Sequence, residues 1–179
     1  VSAAHGARFE SLGVARARIE HTGDARFAQV LRRIAAVDRG SGMLRLLAPD
    51  PSPVLVAGST WEADERIVVN ATAPLLRTGR MRLVLAPHEP DAAHLRALEH
   101  RLEEAGLSHA RLAHVEDGSS APDLPVLVID RVGVLADAYA AAHAAYVGGG
   151  FGTAGLHSVV EPAALGVPVM VHPKARAAL

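Results

Sequence analysis

The chain has 179 residues, 50% of them apolar and 21% charged, so it is long enough to bury a core as one large or two small domains. Its formal net charge is −1, and its 18 basic residues, all arginine except Lys174, are scattered among acidic ones, which excludes a surface built for nucleic acid. The absence of cysteine excludes disulfides, thiolate nucleophiles and cysteine-bound zinc, and the most apolar window, 136–146, is too weakly hydrophobic to cross a membrane.

The first 50 residues predict a connector rather than part of a sheet. The stretches AAHGARFESLG and ARFAQVLRRIAAV have helical patterns, and a short extended segment, RIEHTGD, lies between them. DRGSGMLRLLAPDPSP, with three prolines and two glycines, predicts a loop before the next domain. We therefore assign residues 1–50 to a connector and residues 51–179 to a separate domain.

From residue 51 onward, short apolar runs alternate with helical patterns, which is typical of parallel strands joined by crossover helices. The predicted strands are residues 54–57, MRLVLAP, a weak ARLAHV, LPVLVID, AAYVGG and VPVMVH. The predicted helices are 63–76, 91–105, 133–142 and 157–165. Asp64 and Glu65 fall in the first turn of the first of these helices, where negative charge is favoured. The pattern predicts an α/β fold with a Rossmann-like, doubly wound parallel sheet of five or six strands.

Four loops follow predicted strands and are expected to meet at the carboxyl edge of the sheet, where open α/β folds bind ligands. They are Gly58-Ser59-Thr60, 87–90, 130–133 and 148–158. In the last loop, the run Gly148-Gly149-Gly150 lets the backbone approach a ligand without clashes from Cβ atoms, and a following helix N-terminus favours a phosphate. Glycine-rich turns after strands are common, however, and this run lacks the spacing of a Rossmann fingerprint or a P-loop.

Ser158 and Glu161 have the spacing of a capping box, in which the serine caps a helix and the glutamate bonds back to the serine N–H. Pro162 fits that box poorly, because a proline lacks the N–H that a helix needs there. A carboxylate left free at the edge can instead accept two hydrogen bonds from a ribose diol. The pattern leaves both interpretations open.

Four further side chains on these loops are candidates for ligand binding. His157 can donate to a phosphate or carboxylate, or merely bond a neighbouring carbonyl, and His88 has the same alternatives. Ser59 and Thr60 can bind a ligand through hydroxyl and N–H groups, although Thr60 can equally cap the next helix. The remaining histidines, including His94, show no metal-ligand spacing and are interpreted as solvated side chains.

Two residues near these loops are interpreted without a ligand. Trp61, the only tryptophan, is assigned to packing, and Arg131 to a solvent-facing loop. No Ser-His-Asp triad and no suggestive pair of carboxylates is present in the sequence. The local patterns alone therefore identify no catalytic residue.

Taken together, these residues resemble a family signature. AHAAYVGGGFGTAGLHSVVEPAALGVPV resembles the signature of the 3-deoxy-D-manno-octulosonic acid (Kdo) transferases of lipopolysaccharide biosynthesis, in which Val-Gly-Gly leads to His-Asn, Glu-Pro and Gly-x-Pro. The matching residues are Gly148, Gly149, His157, Glu161, Pro162, Gly166 and Pro168. VAGSTWEADE, the 87–90 loop and VIDRVGVLADAYAAA occur in the family's order and spacing. VSAAHGARFESLG and HTGDARFAQV resemble the end of the family's first domain and the crossing into the second, so the resemblance covers nearly the whole chain.

The resemblance implies the C-terminal, nucleotide-binding half of a GT-B glycosyltransferase. Residues 1–50 would then end the acceptor domain and enter the connector, and residues 51–179 would form a CMP-Kdo binding domain truncated at its C-terminus. The family moves Kdo from CMP-Kdo to a lipid A precursor, with inversion, at the cytoplasmic face of the inner membrane. The resemblance implies an enzyme that uses no cofactor and no metal and has no nucleic-acid partner.

By this resemblance, Glu161 binds the CMP ribose, while His157, Ser158 and the glycines at 148–150 lie near the donor phosphate or sugar. The other residues that the resemblance brings into the substrate site are Ser59, Thr60, His88 and Gly133. The base that deprotonates the acceptor hydroxyl, and the peripheral membrane contact, are expected in an N-terminal domain outside this sequence. The chain alone is therefore expected to bind the donor weakly and to transfer nothing.

Three positions depart from the family pattern. Ser158 stands where the family has asparagine, Val134 follows the retained Gly133 where many members have glutamate, and His88 stands where arginine or histidine is usual. Two alternatives stay open beside the resemblance. One is another GT-B enzyme, such as a UDP-sugar transferase or an epimerase, and the other is a non-catalytic module that binds sugar nucleotides.

Overall fold

The computed structural model describes residues 3–21, 23, 25–37, 42–47, 52–120, 124–151 and 155–173. The chain divides into two compact units, residues 1–36 and residues 37–179. The helices are α1 (Ala3–Ser11), α2 (Ala25–Ala35), α3 (Gly42–Leu47), α4 (Glu62–Arg77), α5 (Ala92–Glu104), α6 (Leu112–Glu116), α7 (Leu135–Ala140) and α8 (Val160–Ala164). The strands are β1 (Val54–Thr60), β2 (Arg82–Pro87), β3 (His109–Arg111), β4 (Val126–Val128), β5 (Ala144–Val147) and β6 (Val169–Val171).

The first unit consists of α1 and α2, joined by a segment that contains one 3₁₀ turn, Arg16–Arg18. Helical periodicity predicted both helices. Ile19, which ends the 3₁₀ turn, has extended backbone angles, as the predicted extended segment requires. Phe27 and Leu31 on α2 are 55% and 61% exposed, so α2 presents apolar side chains to solvent.

The second unit is built on a six-stranded sheet in the order β3-β4-β2-β1-β5-β6, and every strand pair is parallel. This arrangement confirms the predicted α/β fold with a parallel sheet. β1 pairs with β2 on one side and with β5 on the other. The chain therefore builds the sheet outward in both directions from β1, and the switch in direction lies between β1 and β5.

Both faces of the sheet are covered, as continuous apolar strands require. On one face, Leu55 and Leu85 pack with Val69 of α4 and Leu98 of α5 in one buried cluster. On the other face, Val56 and Val84 pack in a second buried cluster with residues of α3, α6 and α7: Met43, Leu47, Leu112, Val115, Ala138 and Tyr139. The central strands are therefore held rigidly at the point where the site is built.

Two elements correct the predictions from sequence. The segment predicted as a loop before residue 54 contains α3, in which Met43 and Leu47 are 5% and 3% exposed. The flanking glycines and prolines suggested a loop, but burial of the apolar side chains of Met43, Leu44 and Leu47 stabilises a helix there. The predicted strand ARLAHV is only half correct, because β3 ends at Arg111 and α6 begins at the next residue.

Candidate functional site at the carboxyl edge of the sheet

The ends of β1 and β5 lie side by side at the switch in the sheet. Gly58 is in register with Val147, and the Gly148 N–H donates to the Gly58 carbonyl oxygen at 3.0 Å. The register of β1 shifts after Gly58, where Ser59 has a φ of 52°, in the left-handed region that non-glycine residues seldom adopt. The predicted loop Gly58-Ser59-Thr60 therefore belongs to β1, and a strained residue lies one position before the end of this strand, beside the glycine loop.

Gly148 is required by the contact between these two strand ends. A Cβ atom at this position would lie 2.4 Å from the Ser59 carbonyl oxygen and 2.8 Å from Thr60 Cα. No side chain fits into that space. This glycine lets backbone approach backbone, whereas the sequence suggested an approach to a ligand.

Gly149 is required by its conformation and by the imidazole of His157. Its φ is 98°, and a Cβ atom would lie 2.5 Å from the Gly155 carbonyl oxygen and 2.8 Å from His157 Cδ2. The backbone N–H of His157 donates to the Gly148 carbonyl oxygen at 3.2 Å, so the end of the loop is bonded to its first residue. Residues 152–154 of the predicted 148–158 loop lie outside the described residues.

A buried carboxylate, Asp64, ties the loop to α4. Asp64 is 0% exposed and accepts three hydrogen bonds, from the N–H of Trp61 at 3.0 Å, the N–H of Gly149 at 3.1 Å and the Tyr146 hydroxyl at 2.6 Å. Burial, followed by the hydrogen bond to Asp64, raises the pKa of Tyr146. Sequence patterns placed Asp64 in a first helical turn but gave no sign of its tertiary partners, so this organising role was missed.

A second buried carboxylate, Glu65, lies on the neighbouring helical position and faces α5. Its Oε1 accepts from the Thr60 hydroxyl at 3.0 Å and lies 2.8 Å from His94 Nε2, while Arg101 is 3.7 Å from its Oε2. Burial raises the pKa of Glu65, against the lowering effects of His94, Thr60 and Arg101.

Two of the sequence interpretations are wrong here. His94 is a mostly buried partner of Glu65 rather than a solvated side chain. The residue that caps α4 is Trp61, and Thr60 turns its hydroxyl into the fold. Thr60 is 0% exposed, and its hydroxyl could donate to a ligand only if the hydrogen bond to Glu65 broke.

Three aromatic rings gather at the outer side of these strand ends. The rings of His88 and His157 are stacked with centroids 4.1 Å apart, and the ring of Trp61 lies 5.0 Å from that of His88. Trp61 Nε1–H donates to His157 Nε2 at 3.1 Å. Burial lowers the pKa of His157, and the nearby His88 adds to that effect while Asp64 opposes it. Trp61, assigned to packing from sequence, thus also makes a specific polar contact.

The capping-box interpretation of Ser158 is not supported, because α8 begins at Val160 with Val159 as its N-cap residue. The predicted helix therefore starts about one turn later than expected. Ser158 is exposed, and its hydroxyl accepts only a long hydrogen bond, 3.4 Å, from the Val160 N–H. Glu161 lies in the first turn of α8 and is half-buried, close enough to Tyr139 to help raise the pKa of that phenol after burial itself.

The remaining predicted residues lie on the same edge at different depths. Gly150 is half-buried after the two packed glycines, whereas Gly133 is exposed, with a φ of 95°, on the loop after β4. Arg131 on that loop is exposed, as the sequence indicated, and it forms a paired contact with Glu116 at 2.6 and 2.7 Å. Gly133 is followed two residues later by Leu135, whose side chain lies beside Gly58.

A cavity of about 370 Å³ lies at the opposite edge of the sheet, before β2 and β4, and is lined in part by Met81, Arg82 and Pro125. Its position separates it from the loops described above.

Across the residues that the structure describes, no group of three or more His, Asp or Glu side chains is arranged to hold a metal ion. Among the helices described, none is both long and apolar enough to cross a membrane.

Comparison with known proteins gives several relatives that are named as transferases, although no protein-family profile matches the chain. The chain is 34% identical over 125 residues to a 3-deoxy-D-manno-octulosonic acid transferase from Bordetella pertussis, a match that covers 68% of this chain and 28% of that protein. It is 26% identical over 167 residues to the enzyme of the same name from Chlamydia pneumoniae, covering 93% of this chain and 37% of that protein. A bifunctional glycosyltransferase/methyltransferase from Fusobacterium nucleatum is 25% identical over 155 residues, a match that covers 87% of this chain and 23% of that protein.

The chain thus spans less than two fifths of the length of each of these relatives. Among solved structures, the C-terminal CMP-Kdo binding domain of WaaA from Acinetobacter baumannii matches with a TM-score of 0.62 and 21% identity, over 83% of this chain and 72% of that one. This match confirms the Rossmann-like fold predicted for the C-terminal half of a GT-B enzyme. The sequence matches show that the chain belongs to the 3-deoxy-D-manno-octulosonic acid transferase family.

Proposed function

We propose that this chain is the donor-binding portion of an inverting glycosyltransferase that moves Kdo from CMP-Kdo to a lipid A precursor. The names of the relatives support the reaction, and the structural neighbour, a CMP-Kdo binding domain, supports the donor. The observation that carries the proposal is the meeting of the glycine loop with His157 and α8 at the switch in the sheet. Doubly wound sheets bind nucleotides at this place.

The proposed chemistry requires stabilisation of negative charge. As the bond between the anomeric carbon and the phosphate breaks, charge grows on the CMP leaving group, and fixed donors lower the barrier when they bind that state best. A neutral hydrogen bond contributes only about 0.5–1.5 kcal/mol net, so several donors must act together.

The available donors are fewer than the glycine run suggested. Three backbone N–H groups are already used within the protein. That of Gly148 donates to Gly58, that of Gly149 to Asp64, and that of His157 to Gly148. Within the described part of the chain, the Gly150 N–H makes no hydrogen bond. We therefore assign phosphate contact to the Gly150 N–H, the His157 side chain and the Ser158 hydroxyl.

We assign the ribose to Glu161, because a carboxylate accepts two hydrogen bonds from a diol. Calorimetric titration with CMP and UMP tests this assignment. Glu161→Ala is expected to weaken CMP binding about 10- to 100-fold, since hydrogen bonds to a charged group contribute about 1.5–3 kcal/mol. Glu103→Ala, at an exposed position on α5, is the matched control and is expected to leave affinity unchanged.

Two outcomes of this titration would contradict the proposal. Unchanged CMP affinity in the Glu161 variant would remove the ribose assignment. Tighter binding of UMP than of CMP would favour a UDP-sugar enzyme of the same fold instead.

The setting of the reaction is part of the same proposal. A lipid A precursor is anchored in a membrane, so transfer requires the enzyme to work at the membrane surface, which we place at the cytoplasmic face of the inner membrane. CMP-Kdo is itself the activated donor, and the proposal requires no cofactor and no metal. The base that deprotonates the acceptor hydroxyl is assigned, by resemblance alone, to the acceptor domain of the family.

A further inference from the structure

Trp61 lies at the junction of β1 and α4 and is held there from two sides. Its backbone N–H donates to the buried Asp64, and its ring packs near the exposed His88. The indole Nε1–H then points at His157, with 3.1 Å between Nε1 and the imidazole Nε2. Because Asp64 also binds the N–H of Gly149, one carboxylate sets the positions of both the indole and the glycine loop.

The chemistry of this contact determines where the imidazole carries its proton. An indole N–H only donates, so His157 Nε2 must be the acceptor and must be unprotonated. A neutral imidazole carries its single proton on the other nitrogen, which here is Nδ1. Among the described residues, His157 Nδ1 has no hydrogen-bond partner, and the side chain is only partly buried.

The groups that face His157 also favour the neutral ring. A proton on Nε2 would oppose the indole N–H and would add a cation beside the stacked ring of His88, 4.1 Å away. Among the described residues, Asp64 is the one carboxylate that favours the charged ring, but its oxygens already accept from Trp61, Gly149 and Tyr146.

We propose that Trp61 is a positioning residue that holds His157 as the neutral Nδ1–H tautomer, so that this N–H donates to a phosphate oxygen of the bound nucleotide. The ligand part of this inference rests on the proposed function. The tautomer itself is a property of the free protein.

The tautomer is tested by long-range ¹H–¹⁵N NMR of the histidine rings in the free protein. The wild-type protein is expected to show His157 with Nδ1 protonated, and Trp61→Phe, which keeps an aromatic ring and loses the donor, is expected to show a mixture of tautomers. The same variant is expected to raise the pKa of His157, because the lost hydrogen bond stabilised the neutral form. His100→Gln, exposed on α5, is the control.

The fluorescence of Trp61, the only tryptophan, provides a second measurement that needs no variant. Because the folded-state pKa of His157 is lowered, the contact is intact above the ordinary value of 6.5 and is lost as the pH falls through the lower folded value. Emission is expected to stay constant above pH 6.5 and to change below it. An Nε2–H tautomer in the wild type, or an unchanged tautomer in Trp61→Phe, overturns the inference.

Titration of both proteins with CMP and with cytidine, at pH 7.5, tests the ligand part. Trp61→Phe is expected to weaken CMP binding about 3- to 10-fold, the loss of one hydrogen bond, and to leave cytidine binding unchanged. Equal CMP affinity in the two proteins, despite a changed tautomer, overturns the phosphate contact. Failure of the wild type to bind CMP at all rejects the proposed function, and with it the phosphate contact, while the NMR result still decides the tautomer.

Discussion

At the scale of single residues, the glycines of the loop serve contacts within the protein before any ligand binds. Gly148 and Gly149 leave no room for a Cβ atom, and Gly149 combines a positive φ with contact to the imidazole of His157. Sequence patterns predicted that glycines were needed here, and that was correct. They could not tell backbone packing from ligand approach, because both require the same missing Cβ atom.

Gly149→Ala is expected to destabilise the protein by about 2–5 kcal/mol, because the left-handed backbone costs about 1–2 kcal/mol and the steric overlap about 1–3 kcal/mol. Gly106→Ala is the matched control, with a φ of 65° but no atom within 4 Å of the added Cβ. It is expected to cost about 1 kcal/mol from conformation alone. Urea denaturation measures both, and equal losses would show that crowding around His157 contributes nothing.

The hydrogen bond from the Tyr146 hydroxyl to the buried Asp64 is expected to contribute to the stability of the protein. Tyr146→Phe removes one of three hydrogen bonds to a buried carboxylate and is expected to cost about 1.5–3 kcal/mol. Tyr139→Phe is the control, because in the described part of the chain that hydroxyl makes no hydrogen bond, and it is expected to cost less than about 0.5 kcal/mol. Similar free energies of unfolding for the two variants would argue against the role assigned to Asp64.

At the scale of elements, periodicity predicted the long helices and the buried strands, and it failed where elements are short. α3 was hidden because its six residues stand between glycines and prolines, which mark loops in most sequences. The boundary between β3 and α6 was missed because β3 has only three residues. So short a strand shows no clear alternation of apolar and polar side chains, and its sequence cannot be told from the start of a helix. In both cases tertiary burial decides the conformation.

The correction at α3 is testable through Leu47, which is 3% exposed. Leu47→Ala is expected to cost about 2–5 kcal/mol, the usual loss for a buried leucine, because α3 covers one face of the sheet. Leu75→Ala, 38% exposed on α4, is expected to cost about 1 kcal/mol or less. A negligible loss at Leu47, measured by thermal or urea unfolding, would mean that the segment behaves as the loop that the sequence suggested.

At the scale of the whole molecule, alternation of strands and helices was enough to predict a parallel sheet and the edge where the loops meet. The order of the strands was not predictable, because pairing depends on which strand ends fit together, as Gly148 fits against Ser59. The buried polar partners of α4 were equally hidden. They join residues far apart in the chain, such as Asp64 and Gly149, and a local sequence pattern cannot predict such a long-range contact.

The division of the chain at residue 36 predicts where donor binding resides. Every residue assigned to the nucleotide, from Gly150 to Glu161, falls within residues 37–179, together with the six strands of the described residues. A chain that begins at Val37 is therefore expected to fold, to keep the Trp61 fluorescence spectrum and to bind CMP as the longer chain does.

A chain that begins at residue 51, the boundary suggested by the sequence, is the comparison for this experiment. It lacks Met43 and Leu47, which pack with Val54 and Ala138 in the core. Removing two buried side chains of this size is expected to lower the free energy of unfolding by about 4–10 kcal/mol, a large share of the stability of most domains, so this shorter chain is expected to be unfolded or barely stable. If it instead matched the chain from Val37 in urea denaturation and CMP titration, α3 would not belong to the donor-binding unit.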